Sequence, residues 1–407
     1  MMRIRARSAI VAAGAVALTA STMVPATASD HERVRFATFN ASLNRGAEGA
    51  LVTDLSTPGN AQARTIAEII QRSRPDVLLI NEFDHDPEAP GLFQKNYLSV
   101  AQNGARPIEY RYRYIAPSNT GIASGLDLNN DGKVVTEPGT DAYGQDAYGY
   151  GMFPGQYGMA VYSRYPIDFG SIRTFQKFKW ADMPGALLPD DPATARPGDW
   201  YSPDELEKLR LSSKSHWDVP VRIGRRTVHF LVSHPTPPTF DGAEDRNGLR
   251  NHDEIRFWAD YVRSANYVYD DRGRRGGLRP GADFVIAGDQ NADPLDGDSV
   301  GSAIDQLLRN PRVNAKYVPT SEGAVEASVL QGGANANHRG DPAADTADFA
   351  DGAPGNLRVD HVLPAKSLRV VDGGVFWPVK ADPLSRLTGV YPFPSSDHRL
   401  VWVDVRS

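Results

Sequence analysis

A strand–helix–strand order near the beginning of the chain constrains its fold more than any other feature. Residues 34–40 alternate apolar and other side chains with a period of two, which is typical of a β-strand. Asn60 can cap a helix that carries a stripe of isoleucines and ends before Pro75. Residues 76–82 then form a nearly continuous apolar run, as expected of a strand buried on both faces. This order predicts an α/β layered fold.

The rest of the chain contains more predicted strands than helices. Helical spacing occurs in residues 254–262, and a second helix is predicted near residues 299–309. Long loop-rich insertions are predicted at 100–156 and 180–215, and residues 320–355 are also loop-rich. The further predicted strands cover residues 157–163, 217–223, 227–233, 283–288, 357–363, 368–371 and 400–405. An excess of strands favours a packed pair of sheets with helices outside.

The clearest chemical signal lies in residues 283–294, where a short apolar strand ends abruptly in Gly288-Asp289-Gln290-Asn291. Asp289 and Asn291 are two residues apart at the exit of a strand, so they share one face and point the same way. Such an exit is a rigid base from which a loop can aim polar groups at a ligand. A simple turn is the alternative, because Gly, Asp and Asn all suit turns.

Polar side chains also stand at other strand ends. Taken singly, each is a turn residue or a solvated loop residue. In layered α/β folds, however, the strand ends on one side line a common crevice in which ligands bind. One shared site therefore explains the set better than six independent accidents. The set consists of Asn40, Glu82, His234, Asp289 with Asn291, Asp360 in the run Arg358-Val359-Asp360-His361, and the cluster Ser396-Asp397-His398.

The first 28 residues have the order of a secretory signal peptide. Arg3, Arg5 and Arg7 form a basic start, an apolar run follows that is short for a membrane anchor, and residues 26–28 supply a small-residue cleavage site. An uncleaved anchor is the alternative. No later stretch is long and apolar enough to span a bilayer. We therefore expect a secreted protein with a single domain over residues 29–407.

Charge and cysteine content narrow the possible functions. Without the three arginines of the first 28 residues, the formal charge changes from −6 to −9. Such an acidic chain is a poor candidate for charge-driven binding to nucleic acid, although a bound divalent cation can reverse the local field. The chain has no cysteine, so its core must stabilise it without disulfides. About 380 residues suffice, because a chain of this size buries about three quarters of its unfolded surface.

The ordered series of polar motifs resembles that of the endonuclease/exonuclease/phosphatase superfamily, the divalent-metal phosphoesterases related to pancreatic-type deoxyribonuclease. The resemblance runs in order from about residue 33 to 407 and includes, besides the set above, Asn81-Glu82 and Tyr162-Ser163-Arg164-Tyr165-Pro166-Ile167. Any one motif is weak, whereas the ordered set is specific. The resemblance implies a four-layer α/β sandwich, with two mostly antiparallel sheets packed face to face and helices outside.

The resemblance also implies a role for each polar residue. Glu82 would be the main carboxylate ligand of a Mg²⁺ or Mn²⁺ ion, with Asn40 and Asp397 completing the coordination shell. Asp289 would orient or deprotonate the attacking water. Asn291 would donate to the phosphoryl oxygens as charge builds there.

Two histidines complete the implied catalytic set. His398 would lie near the scissile phosphate, held by Asp360 in an acid–imidazole pair that fixes its tautomer. Whether Asp289 or His398 is the general base stays open. His234 would hydrogen-bond the phosphate or assist the leaving group, and the resemblance implies a carboxylate partner for it that the sequence does not locate.

Residues 127–132 have the D-x-N-x-D-G spacing of a calcium loop, with Asp127, Asn129 and Asp131 as ligands. Such a loop needs Glu at its twelfth position, where this chain has Pro138. A plain Asx-rich turn is therefore the alternative. A structural Ca²⁺ would help to order the long insertion at 100–156.

Together these features predict a secreted, monomeric, Mg²⁺-dependent phosphoesterase that cleaves P–O bonds by in-line attack of water. We expect organic phosphates as substrates, either small phosphate esters or lipid headgroups. An extracellular nuclease, with nucleic acid as substrate, is the alternative. A binding protein that has lost catalysis is a second alternative, which the intact metal and acid–imidazole residues disfavour. Candidate substrate contacts are Tyr157, Lys214, His216 and His338.

Overall fold

The computed structural model of the protein describes residues 33–406. The predicted signal peptide lies outside the described residues. Within them, every helix is too short or too polar to cross a membrane.

The predicted strand–helix–strand unit forms the centre of the first sheet. Strand β1 (Arg33–Leu43) is followed by helices α1 (Ala50–Leu55) and α2 (Ala61–Ser73) and by strand β2 (Val77–Phe83). The side chain of Asn60 caps α2 by accepting a hydrogen bond from the backbone of Ala63, as predicted. β1 and β2 pair in parallel, which the helical crossover makes possible.

The remaining elements are short, apart from α6. The helices are α3 (Ala89–Phe93), α4 (Asp141–Gln145), α5 (Pro203–Leu206), α6 (Arg246–Val262), α7 (Asp305–Leu308) and α8 (Glu322–Gln331). The strands are β3 (Tyr112–Tyr114), β4 (Met159–Ser163), β5 (Arg173–Thr174), β6 (His216–Ile223), β7 (Arg226–Ser233), β8 (Asp283–Asp289), β9 (Ala347–Asp348), β10 (Asn356–Leu357), β11 (Asp360–Pro364), β12 (Arg369–Val375) and β13 (Val401–Arg406).

Two mixed sheets contain most of these strands. The first has the order β12-β13-β1-β2-β4-β3, and the second has the order β11-β8-β7-β6-β5. The pairs β1–β2 and β7–β8 are parallel, while the other pairs within the two sheets are antiparallel. Strands β9 and β10 form a separate small ladder. The predicted sandwich of mostly antiparallel sheets is confirmed.

The alternation of side chains along β1 builds the layers. Phe36 faces the second sheet, where its ring centroid lies 5.5 Å from that of Phe230 in β7. Phe39 belongs to the cluster on the opposite face, together with Ile66 of α2. The period of two that puts Phe36 between the sheets puts Asn40 there as well, close to the end of the strand. Side-chain periodicity therefore brings a polar group to the edge of the sandwich core.

Helix α8 lies in the stretch 320–355, which was expected to be a loop. Its residues Val325, Val329 and Leu330 are exposed, so the helix has no buried apolar stripe. The periodicity that reveals an amphipathic helix in a sequence is therefore absent.

Two other predicted elements are interrupted. The strand expected at 357–363 is divided into β10 and β11, so Asp360 opens a strand and does not end one. The helix expected near 299–309 is reduced to α7 and a 3₁₀ turn at Val300–Ser302, because Gly301 adopts a left-handed φ of 55°.

Candidate active site

Polar residues from both sheets meet at one edge of the sandwich. In the first sheet, Asn40 of β1 lies opposite Asn81 of β2. In the second, Asp360 pairs with Asp289. Because β11 runs antiparallel to β8, the first residue of β11 lies beside the last residue of β8. Asp360 therefore lies where the sequence predicted it, although it begins a strand. The expectation that it ends a strand is wrong.

Asp289 is the centre of the cluster. Its Oδ2 accepts a hydrogen bond from Asn40 Nδ2 at 3.1 Å and lies 3.4 Å from His234 Nε2 and 3.6 Å from His398 Nε2. Its Oδ1 accepts a hydrogen bond from the backbone N–H of Asn291 at 2.8 Å. Burial raises the pKa of Asp289 above its ordinary value, although the nearby His398 opposes this rise. A carboxylate with a raised pKa can accept a proton near neutral pH.

His398 lies between two carboxylates. Its Nδ1 is 2.8 Å from Asp360 Oδ2, and its Nε2 faces Asp289. The hydroxyl of Thr346 donates to the same Asp360 oxygen at 2.9 Å and fixes the carboxylate. Burial alone would lower the pKa of His398, but Asp360, Asp289 and Asp397 outweigh it and raise the pKa well above the ordinary value. The geometry therefore favours a protonated His398 whose Nε2 points into the cluster.

Glu82 and Asp397 occupy the other side of Asn40. The Asn40 amide that donates to Asp289 also donates to Glu82 Oε1 at 3.0 Å. Burial raises the pKa of Glu82, and the nearby charge of Asp397 raises it further. Glu82 has a left-handed φ of 56°, and so does Asn291 at 50°. Strained backbone of this kind is often found at functional sites.

The donor set around Asn40 fits a hard divalent cation. Glu82, Asp289 and Asp397 offer carboxylate oxygens, which Mg²⁺ and Mn²⁺ prefer. In the described part of the chain, the one group of three acidic or histidine ligand atoms within 4.8 Å of one another is Asp289, Asp360 and His398. That group includes an imidazole whose Nδ1 already contacts Asp360. Glu82 and Asp397, the predicted carboxylate ligands, are not members of that group, and their role stays a prediction.

His234 is buried beside Asp289. Burial, with the charges of Lys214 and His398, lowers the pKa of His234 well below its ordinary value. Its Nε2 faces Asp289, and its Nδ1 is buried without a hydrogen-bond partner. Asp289 is thus the carboxylate nearest to this histidine, in place of a separate acid expected from the resemblance.

Two of the four candidate substrate contacts lie near the cluster. Tyr157 has a left-handed φ of 58° and donates its backbone N–H to Asp84 at 3.0 Å. Burial raises the pKa of its phenol, and the nearby carboxylate of Glu82 raises it further. Lys214 is buried, and the carboxylates of Glu82 and Asp289 act on it.

The other two candidates have different surroundings. His216 is buried in the core, with Nδ1 2.6 Å from Ser212 Oγ and Nε2 2.9 Å from the carbonyl of Glu254. Both of its nitrogens are engaged, which leaves none for a substrate. His338 is half-buried and contacts the carbonyl of Pro354 through Nε2 at 2.8 Å.

Two buried polar residues to which the sequence analysis gave no role hold the site together. Asn81 accepts hydrogen bonds from Thr38 Oγ1 and from the backbone of Asp289, both at 3.2 Å, so it joins the two sheets under the cluster. Glu254 of α6 accepts the backbone N–H groups of Ser213 and Thr236, both at 2.6 Å. Asn81 is part of a motif in the sequence, whereas nothing in the sequence distinguishes Glu254 from a surface acid on a helix.

The loop of the predicted calcium site has the hydrogen bonds of an Asx-rich turn. Asp127 Oδ1 and Asn129 Oδ1 both accept the backbone N–H of Asp131, at 3.1 and 3.2 Å, and Asp127 Oδ2 accepts that of Gly132 at 2.8 Å. The turn accounts for this geometry by itself. A bound Ca²⁺ stays a prediction.

Solved structures that resemble this fold share little sequence with the chain. An endonuclease/exonuclease/phosphatase from Beutenbergia cavernae is 17% identical, with 92% of this chain and 71% of that chain covered and a TM-score of 0.46. Sphingomyelinase C from Streptomyces griseocarneus is 13% identical, with 92% and 98% covered and a TM-score of 0.43. A variant of beta toxin from Staphylococcus aureus with bound magnesium ions is 14% identical, with 91% and 99% covered and a TM-score of 0.41. No curated protein matches the chain significantly.

A comparison with protein families gives a direct result. The sequence model of the Endonuclease/Exonuclease/phosphatase family matches residues 37–398, which include the polar cluster from Asn40 to His398. The match covers most of the chain. The chain therefore belongs to the endonuclease/exonuclease/phosphatase family, whose members are metal-dependent phosphoesterases.

Proposed function

We propose that this protein is a secreted phosphoesterase that hydrolyses small organic phosphates by in-line attack of water and requires a divalent cation. One observation carries the proposal: Asn40, His234 and His398 converge on a single oxygen of Asp289, and the Asn40 amide joins that oxygen to Glu82. A buried cluster of this composition has the groups needed to bind a cation, activate water and stabilise a phosphoryl group.

Glu82, Asn40 and Asp397 would hold the cation, and Mg²⁺ suits their oxygen donors. When bound, the ion neutralises charge on the phosphate oxygens and so lowers the barrier to attack by a nucleophile. The left-handed φ of Glu82 supports this assignment, because strained backbone clusters at functional sites.

Asp289 is the better candidate for the general base. Its pKa is raised by burial, which lets it accept a proton near neutral pH. Asp360 and Asp289 flank the ring of His398 and raise its pKa against the effect of burial, so the imidazole is better suited to donate than to accept a hydrogen bond. It therefore serves as a hydrogen-bond donor to the phosphoryl oxygens. Asn291 would donate to the same group as negative charge builds on it.

The negative charge of the chain favours small esters over polyanionic nucleic acid. The formal charge is −6, so the electrostatic attraction that dominates sequence-independent binding to DNA is absent from the chain as a whole. A single phosphate group can still bind, since the cation and His398 act on it locally.

Hydrolysis of a chromogenic phosphodiester and a chromogenic phosphomonoester, with Mg²⁺ and then with EDTA, tests the proposal. We expect turnover that EDTA abolishes and excess Mg²⁺ restores. Asp289→Ala should fold normally and keep less than about a tenth of the activity, since it removes the base. Turnover of DNA in preference to both esters would favour a nuclease, and no turnover across a broad panel would favour a binding protein.

Secretion has a separate test. Expression of residues 1–407 in a bacterial host should release a protein whose amino terminus, determined by sequencing, begins at Ser29. Retention in the membrane fraction with residues 1–28 intact would contradict it.

A further inference from the structure

Lys214 is a buried cation whose hydrogen-bonding capacity is largely unused. The residue is 6% exposed, and its Nζ donates one long hydrogen bond, to the carbonyl of Pro235 at 3.4 Å. An ammonium group has three N–H donors, and burial of such a group without partners is unfavourable. The carboxylates of Glu254, Glu82 and Asp289 act on this charge, yet two of its N–H donors have no hydrogen-bond partner among the described residues.

The ammonium lies beside the polar cluster. The Pro235 carbonyl also accepts a hydrogen bond from Asn291 Nδ2 at 3.1 Å, so Lys214 and Asn291 present neighbouring donors around one oxygen. Lys214 also lies within the electrostatic reach of Glu82 and Asp289. It therefore stands within the polar cluster, beside Asn291 and near Glu82 and Asp289.

The fold fixes the backbone of this lysine and leaves most of its N–H donors unused. Glu254 accepts the Ser213 backbone N–H at 2.6 Å, the Ser213 hydroxyl at 3.0 Å and the Thr236 backbone N–H at 2.6 Å, so both segments that flank the ammonium are held by one carboxylate. The Lys214 carbonyl accepts the backbone N–H of Asn119 from the 100–156 insertion at 2.8 Å. Both Glu254 oxygens accept from other donors, so this carboxylate acts on the ammonium through its charge and not through a hydrogen bond. A fixed backbone with unused N–H donors is the arrangement of a preorganised ligand contact.

We propose that Lys214 Nζ binds a non-bridging oxygen of the substrate phosphoryl group, next to Asn291. The inference rests on the proposed phosphoesterase function and deepens it. The lysine recognises the phosphoryl group and not its organic substituent, so it serves phosphate monoesters and diesters alike. Lys214 belongs to the 180–215 insertion, and Asn119 of the 100–156 insertion fixes its backbone. Both insertions therefore contribute to this contact.

The absence of cysteine from the chain allows a specific chemical test. Lys214→Cys introduces a single thiol, which can be alkylated in urea with 2-bromoethylamine to rebuild a lysine-like ammonium, or with iodoacetamide to add a neutral group, before refolding. We expect Lys214→Cys to reduce kcat/KM by roughly 100-fold, as for the loss of one oxyanion donor. The aminoethylated protein should recover most of this loss, and the neutral adduct should not. Lys208→Cys, at an exposed lysine of the same insertion, is the matched control and should keep wild-type activity.

A second measurement does not depend on turnover. Inorganic phosphate should raise the Tm of the wild type, and Lys214→Met, which keeps the apolar stem, should lose that rise. The inference is overturned if Lys214→Cys keeps more than a third of the activity, if the neutral adduct restores activity as well as the cationic one, or if Lys214→Met keeps the phosphate-dependent rise. Should the wild type hydrolyse no ester, the proposed function fails, and the phosphate titration still decides the role of Lys214.

Discussion

Replacement of Asp360 by asparagine tests whether the acid–imidazole pair organises the site. Asp360 and His398 are both buried, and Oδ2 of the acid lies 2.8 Å from Nδ1 of the imidazole. Asparagine keeps the size of the side chain and removes its charge. The substitution therefore isolates the electrostatic part of the contact.

The expected magnitude follows from the type of hydrogen bond. A hydrogen bond between charged groups contributes about 1.5–3 kcal/mol. If that energy supports the protonated His398 during catalysis, kcat/KM should fall by roughly 10- to 100-fold, at about 1.4 kcal/mol for each factor of ten. The pKa of His398 should also fall, because Asp360 is among the carboxylates that raise it. Loss of activity at alkaline pH should then begin about one to two pH units lower than in the wild type.

Asp360→Asn should lower the stability of the fold as well as the activity. A histidine whose folded pKa is raised stabilises the fold below its unfolded pKa, and this contribution is lost as the pH rises through the folded pKa. Asp360→Asn should therefore lower the free energy of unfolding most at acidic pH. Steady-state hydrolysis of a chromogenic ester from pH 5 to 10, with urea unfolding at both ends of the range, measures both effects.

Asp372→Asn is the matched control. Asp372 forms an ion pair with Arg33 at 2.8 Å at the other side of the first sheet, and its side chain is 48% exposed. An exposed pair contributes little, so the control should change stability by no more than about 0.5 kcal/mol and leave the rate unaltered. A rate loss of less than about threefold for Asp360→Asn, with an unchanged pH profile, would refute the assigned role of the pair.

Three further predictions concern the cation, a buried acid and the calcium loop. Mg²⁺ should raise the Tm of the wild type by mass action, and Glu82→Gln should lose that rise in calorimetry; a full rise in the variant would remove Glu82 from the ligand set. Burial raises the pKa of Asp345 to about 8, so its ionisation destabilises the fold increasingly as the pH rises from about 4 to 8. Asp345→Asn should therefore stabilise the protein by roughly 2–4 kcal/mol in urea unfolding at pH 9 and by almost nothing at pH 4. An equal effect of the substitution at both pH values would contradict this reasoning. Ca²⁺ should protect residues 120–150 from limited proteolysis, and an Asp127→Asn, Asp131→Asn double variant should abolish the protection; cleavage that ignores Ca²⁺ in the wild type would leave a plain turn.

The elements that depend on short-range patterns were predictable. β1, α2 and β2 lie within a few residues of their expected limits, because strand alternation, the Asn60 cap and the stop before Pro75 are local properties. Helix α8 was not predictable, since it buries no apolar stripe.

Which residues stand at strand ends, and in what order, follows from the amino-acid sequence alone, and so do the family resemblance and the candidate site. How these residues meet depends on the three-dimensional packing of the chain. The antiparallel register of β11 and β8 puts Asp360 beside Asp289, and packing of α6 against two loops puts His216 in the core and Lys214 beside the polar cluster. Strand pairing and burial depend on contacts between residues far apart in the chain, and local side-chain periodicity carries no information about them.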